Sequence, residues 1–190
     1  MAGGSSVGGS GACHTQVMST TERTLLMLRH SKSAYPEGAA DIDRPLSPRG
    51  QRDAVSAGTW IGGQGLIPDL VVCSAAARTR QTWDLASDRL AWADDGEVVR
   101  YDARLYNADT ATLVTVVQET PPEVEILALV GHNPAASDLV ATLTGKTGLN
   151  FPTSALAVIG FRRDWDRVAP GSGSLDGYWT PKGGSAVPGG

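Results

Sequence analysis

Three short runs, Leu25–Leu28, Leu70–Val72 and Ile126–Val130, are apolar at every position rather than at every second one. Successive side chains of a strand point to opposite faces, so a half-exposed strand alternates. An unbroken apolar run demands burial on both faces, as in a parallel sheet covered by helices. Longer segments with helical spacing separate or follow these runs: "SPRGQRDAVSAGTWIGG", "ARTRQTWDLASDRLA", "DTATLVTVVQET" and "NPAASDLVATLTG", with "EVVRYD" as a further β-rich stretch. The alternation predicts an α/β fold, a three-layer sandwich with a mostly parallel central sheet flanked by helices. After Gly145 the pattern changes to "SALAVIGF" and "GSLDGYWT", two β-like runs joined by a turn-rich segment and expected to add edge strands.

A chain of 190 residues supports one core of ordinary size without a disulfide or metal staple. We expect a single domain over 21–180 between flexible tails at 1–20 and 181–190. The first stretch, "MAGGSSVGGSGACHTQ", is rich in glycine and serine and lacks the basic start and apolar centre of a secretory signal. Met18 opens "MSTTERTLLMLRH", a second candidate start. The two cysteines, Cys13 and Cys73, make neither a disulfide framework nor a zinc-ligand pair, so a cytoplasmic address is expected. No apolar stretch has the length of a membrane span, and we expect a soluble protein. A net charge of −4 without a lysine- and arginine-rich block argues against a nucleic-acid or anionic-membrane surface. Any anion site must be local. Nothing in the pattern sets an oligomeric state.

The ends of the apolar runs carry the chemistry. Arg29 and His30 close the first run, Ser74 to Arg78 follow the second, and Gly131-His132 close a later one. Parallel strands present their carboxyl ends along one rim, where α/β proteins bind ligands. Ser47-Pro48 and Asn133-Pro134 read as helix starts, and Ser74 stands before the helix that contains Arg78. Two arginines, two histidines and helix N-termini would therefore converge, a chemical description of a pocket for a dianionic phosphoryl group. Each piece alone has a plainer reading as a solvated strand end, a capping histidine or a wet helix face. Their joint placement carries the inference.

The order "LRH", "SAAARTRQT", "VGHNP" resembles the histidine phosphatase superfamily, whose fold is phosphoglycerate mutase-like. The short chain with "RPLSPRG" resembles its SixA-type phosphohistidine phosphatase branch. The likeness runs from Thr24 to about Trp179. It implies a nucleophile at His30, phosphate-binding arginines at Arg29 and Arg78, and a second site histidine at His132. Arg44 matches a further basic position, and Ser31 and Asn133 join it as expected substrate-binding residues. Two departures stand out. Ser31 replaces the glycine that usually follows Arg-His, which predicts a tighter pocket with an added hydroxyl contact. Relatives that hydrolyse phosphoesters carry a glutamate acid where "YDARLYNAD" places Ala103, leaving Asp41, Asp43 and Asp102 as candidate proton donors or as exposed loop carboxylates.

The implied activity is a metal-independent phosphatase with a phosphohistidine enzyme intermediate, acting on phosphohistidine in a protein or on a small phosphate-containing substrate. No cofactor is expected. Adjacent arginines repel a cation, and no third ligand accompanies the histidines. A general phosphomonoesterase or mutase-like enzyme and a noncatalytic phosphate-binding module are the alternatives. The last has no use for both histidines.

Overall fold

A computed structural model describes residues 22–92 and 99–186. The expected tail at 1–20, with Cys13 and Met18, lies outside them. Seven strands form one sheet in the order β3-β2-β4-β1-β5-β6-β7. They are β1 (Arg23–Arg29), β2 (Leu70–Ser74), β3 (Val99–Asp102), β4 (Ile126–Gly131), β5 (Leu156–Phe161), β6 (Ser174–Thr180) and β7 (Gly184–Ala186). The helices are α1 (Pro48–Gly63), α2 (Ala77–Ser87), α3 (Thr110–Gln118) and α4 (Ala135–Thr144). β3, β2, β4 and β1 run parallel, and β5, β6 and β7 are antiparallel additions on the β1 side.

The unbroken apolar runs behave as their composition demands. In β1, Leu25 and Met27 enter one core with Leu113 and Val116 of α3 and Leu139 and Leu143 of α4. Leu26 and Leu28 enter the other with Ala57 and Ile61 of α1 and Trp83 of α2. All four β1 residues are fully buried, so the strand sits at the middle of three layers. No helix among the described residues is long and apolar enough to cross a membrane.

The two runs after Gly145 correct an expectation. β5 is not at the edge but between β1 and β6. Its sequence LAVIGF is buried at five of six positions, and its backbone pairs with β1 on one side and β6 on the other. Part of the segment expected to be loose, Gly184–Ala186, forms β7 against β6. A turn through Gly184 at φ +63° makes that reversal possible.

The helix starts divide. Ser47 caps α1, its Oγ accepting from the Gly50 N–H at 3.1 Å, with Pro48 at the first helical position. The same Oγ donates to the Lys32 carbonyl, and the Ser47 N–H donates there too, tying α1 to the segment just after His30. Gly50 is required at that contact, since a Cβ would sit 2.1 Å from the Lys32 carbonyl oxygen. Asn133, in contrast, does not cap α4. Pro134 holds the cap position in a helical conformation without a side-chain bond, and the Asn133 amide turns elsewhere. Ser74 belongs to β2, and Ala76 precedes α2 without a side-chain cap.

Candidate active site

Register brings the site together. Arg29 of β1 lies opposite Gly131 of β4, and the His30 N–H donates to the Gly131 carbonyl at 3.0 Å. On the other flank of β4, Cys73 lies opposite Val130, which brings Ser74 to the same level. Three neighbouring strands thus end on one rim carrying Arg29-His30, His132 and Ser74. The rings of His30 and His132 stand 5.1 Å apart between centroids.

His30 is held in one tautomer. Its Nδ1 lies 2.7 Å from the Ser31 carbonyl oxygen, which can only accept, so Nδ1 carries the hydrogen and Nε2 keeps its lone pair. Burial pushes the ring from its ordinary 6.5 down to about 3, against the Ser31 bond, with His132, Arg78 and Arg29 adding like charge. His132 is lowered to about 4, mainly by burial and then by Arg78. Both imidazoles are neutral near pH 7, a condition for nucleophilic attack by one of them.

The cationic side of the pocket is built from Arg29 and Arg78. Arg29 donates from Nη1 to the Phe151 carbonyl at 2.7 Å and leaves Nε without a protein partner. Burial lowers its pKa. Arg78, from the first turn of α2 and 7% exposed, is anchored by Asp41: Nη1 donates to the Asp41 carbonyl at 2.6 Å and Nη2 to its carboxylate at 3.1 Å. The same carboxylate accepts from Tyr106 Oη and Arg44 Nη1. These contacts, Arg44 first, hold Asp41 down at about 2. Tyr106 also packs against His132 in a T-shaped contact. His132 completes the arrangement, with Nε2 2.8 Å from Ser74 Oγ and Nδ1 buried without a partner.

A cavity of about 260 Å³ opens beside His132, lined by Leu105, Asn107, Ala108, Leu113, Asn133 and Pro134. Another cavity, about 550 Å³, lies at the far end of β1, lined among others by Glu22, Arg23 and Asp176. Neither histidine lines it, and its wall mixes Glu22 and Asp176 with Arg23, Arg162 and Arg163. The chemistry belongs at the C-terminal rim. Among the described residues no group of three His, Cys, Asp or Glu side chains stands close enough to hold a metal ion.

The structure brings His30, Arg29, Arg78 and His132 together and gives the other expected residues protein partners of their own or leaves them exposed. Ser31 is fully buried and its hydroxyl bonds Ser154 Oγ at 2.6 Å, so it adds no contact to a ligand. The Ser31 N–H is likewise spent, on Thr82 Oγ1. Asn133 donates to the Phe151 carbonyl at 3.0 Å and so braces the loop that also holds Arg29. Arg44 bonds the Ala34 carbonyl, Ser33 Oγ and Asp41 and stacks on Tyr35 at 3.4 Å, a loop clamp linked to the pocket only through Asp41. Asp102 is tied to Arg104, whose hydrogen bonds lower its pKa, and Ala103 is exposed in the following turn. Asp43 is exposed, its N–H donates to the Ala40 carbonyl at 3.0 Å, and among the described residues its carboxylate enters no hydrogen bond or ion pair. Asp41 is thus the one candidate carboxylate joined to a site arginine, as an ionised anchor. Sequence reasoning missed Tyr106, the Phe151 carbonyl and the Ser74 hydroxyl. Only Ser74 left a trace, as a polar end to an apolar run.

Comparison with known proteins finds relatives by sequence and by fold. A family model described as histidine phosphatase superfamily (branch 1) matches residues 25–113, a span that holds Arg29, His30 and Arg78 but not His132. An uncharacterized protein of Mycobacterium tuberculosis is 38% identical over 165 residues, covering 82% of this chain and all of its own length. Among solved structures, SixA of Nakamurella multipartitia, assigned as a phosphohistidine phosphatase, superposes with a TM-score of 0.75 at 28% identity, covering 85% of this chain and 97% of its own. The protein histidine phosphatase SixA complexed with tungstate gives 0.71 at 25% identity, covering 83% of this chain and 97% of its own.

Proposed function

We infer, for a chain that belongs to the histidine phosphatase superfamily in its SixA-type branch and is thereby a phosphatase, that it removes phosphoryl groups from phosphohistidine through a phosphohistidine intermediate on His30. The observation that carries this reading is the state of His30, a neutral imidazole with Nδ1–H committed to the Ser31 carbonyl and the Nε2 lone pair flanked by Arg29 and Arg78. Nε2 attacks phosphorus in line. The new N–P bond forms as the bond from phosphorus to the leaving nitrogen breaks. Guanidiniums of Arg29 and Arg78 stabilise the phosphoryl oxygens as charge redistributes, the dominant contribution in such transfers. Water then attacks the phosphorus on His30, releasing inorganic phosphate and restoring the imidazole.

Leaving-group chemistry narrows the substrate. Expelling an alkoxide needs a positioned acid, worth typically about 10²–10⁴-fold. Asp41 is held ionised by Arg44, Tyr106 and Arg78, Asp102 is engaged by Arg104, and Ala103 has no proton to give. An imidazole takes its proton from water and needs no such group. The cavity beside His132 has Leu105, Ala108, Leu113 and Pro134 in its wall together with Asn107 and Asn133, so it offers a ring both apolar and hydrogen-bonding contacts. The site's own cations supply the charge that a metal would bring, so activity should survive a chelator. A cytoplasmic setting, with a phosphorylated protein or a small phosphoramidate as substrate, fits this chemistry.

Comparing kcat/KM for a phosphohistidine peptide, an aryl phosphate and alkyl phosphates tests the reading. Preference for the first two, with acid-labile label trapped on His30 by rapid quench, is the expected result. Equal turnover of alkyl phosphates, or label on serine, overturns it.

A further inference from the structure

A third cavity, about 460 Å³, is walled by Arg49, Asn150, Pro152, Thr153, Thr180 and Lys182, and no acidic side chain lines it. The chain carries a net charge of −4, so two cations without a carboxylate set this cavity apart from the chain as a whole. Its neighbourhood is the segment that holds the nucleophile. Arg49 lies beside Gly50, which packs on the Lys32 carbonyl. Asn150 and Pro152 flank Phe151, whose carbonyl accepts from Arg29. Thr153 precedes Ser154, whose N–H donates to the His30 carbonyl at 3.2 Å and whose hydroxyl meets that of Ser31. Each of these wall residues is therefore one position, about 3.8 Å along the chain, from a contact with residues 29–32.

The wall is tied in place. Tyr178 of β6 donates its hydroxyl to the Asn150 carbonyl, and the turn that carries Lys182 is closed by the Gly183 N–H on Thr180 Oγ1 at 2.9 Å. Arg49 pairs through Nε with Asp53 at 3.3 Å, one turn further along α1 and outside the wall, and its side chain is half exposed. Lys182 is exposed, and its ammonium has no partner among the described residues.

We propose that this cavity is a second anion subsite, in which Arg49 and Lys182 receive an acidic side chain that neighbours the phosphohistidine in the substrate polypeptide. This rests on the phosphohistidine reading above and adds to it a preference for the sequence around the phosphorylated residue. A guanidinium and an ammonium, with the Thr153, Thr180 and Asn150 side chains beside them, hold a carboxylate by charge and by hydrogen bonds. An extended chain advances about 3.3–3.6 Å per residue, which places the acid within about four positions of the phosphorylated histidine.

Fluorescence anisotropy with the full-length His30→Ala chain measures binding without turnover. The probes are three labelled phosphohistidine peptides, alike except for glutamate, alanine or lysine at the positions around the histidine. At low salt the glutamate peptide should bind about 3–10-fold tighter than the alanine peptide, and the lysine peptide more weakly still, the scale of two partly exposed ion pairs. Raising the ionic strength to about 0.5 M should bring the three together. Adding Arg49→Ala and Lys182→Ala should erase the difference, and adding Arg49→Glu and Lys182→Glu should reverse it. Equal affinities before those changes, or a preference for glutamate that survives the charge reversal, overturns the subsite. Turnover separates this from the phosphatase reading. With His30 intact, the double alanine variant should hydrolyse phosphoramidate, which has no flanking residues, at the parent rate. Loss of that activity would move Arg49 and Lys182 into the catalytic pocket and overturn the proposal. A parent chain that hydrolyses none of these substrates, while its His30→Ala form still ranks the peptides as expected, would overturn the phosphatase reading and support the subsite.

Discussion

Acid should weaken this protein long before it silences the nucleophile. His30 and His132 are held neutral in the fold, at about 3 and about 4, whereas in an unfolded chain each titrates near 6.5. Between those values the unfolded state binds protons that the folded state refuses. Stability is therefore full above the unfolded value and falls as pH drops through 6.5 toward the folded values. At about pH 5.5 the unfolded form of each histidine gains RT ln(1 + 10), about 1.4 kcal/mol, so the pair costs about 2.8 kcal/mol relative to neutral pH. That is a large share of a typical domain's margin. His30→Gln cannot titrate in either state and should recover half of that loss, about 1.4 kcal/mol. Urea denaturation of parent and variant near pH 7.5 and 5.5 measures the difference, in which every other titrating group cancels. An equal acid loss in both proteins, or a ring titration of His30 in the folded protein centred near 6.5, would refute the reasoning. Meanwhile nearly all of His30 should stay neutral at about pH 5.5, where an ordinary histidine would be about nine-tenths protonated.

Arg29→Ala and Arg78→Ala should each cost roughly 2–4 kcal/mol in kcat/KM, and lysine should rescue poorly because an ammonium cannot reproduce the planar fork. Near-normal rates in either variant would remove that residue from the site. Asn replacements of Asp41, Asp43 and Asp102 should leave the ratio of phosphohistidine to alkyl phosphate turnover unchanged. Selective loss of the alkyl activity in one of them would identify a proton donor. Gly50→Ala should destabilise by about 1–3 kcal/mol in thermal or urea unfolding, since its Cβ would meet the Lys32 carbonyl at 2.1 Å. A neutral effect there would mean that the segment after His30 yields easily.

The apolar runs at 25–28, 70–72 and 126–130 determined their own environment, because a strand without polar positions can be stable only between two helical layers. With that came the rim, and with the rim came Arg29, His30, Arg78 and His132, whose places follow from strand ends that can be read directly along the chain. Ser47-Pro48 likewise announced α1 through local chemistry alone. Tertiary structure decided everything that depends on which strand lies beside which. Nothing local says that β4 inserts between β2 and β1, yet that order puts Ser74 against His132 and the His30 N–H on Gly131. Nothing local turns the Ser31 hydroxyl inward to Ser154, 123 positions away, or makes the Phe151 carbonyl the shared acceptor of Arg29 and Asn133. The run at 156–161 looked like an edge because its partner β1 is distant in sequence, and it is interior because its backbone pairs with β1 on one side and β6 on the other. Asp41 shows the division most plainly. As a residue it was a loop carboxylate that could have been an acid, and contact with Arg78, Arg44 and Tyr106, side chains 3 to 65 positions away, made it an anion that holds an arginine in place.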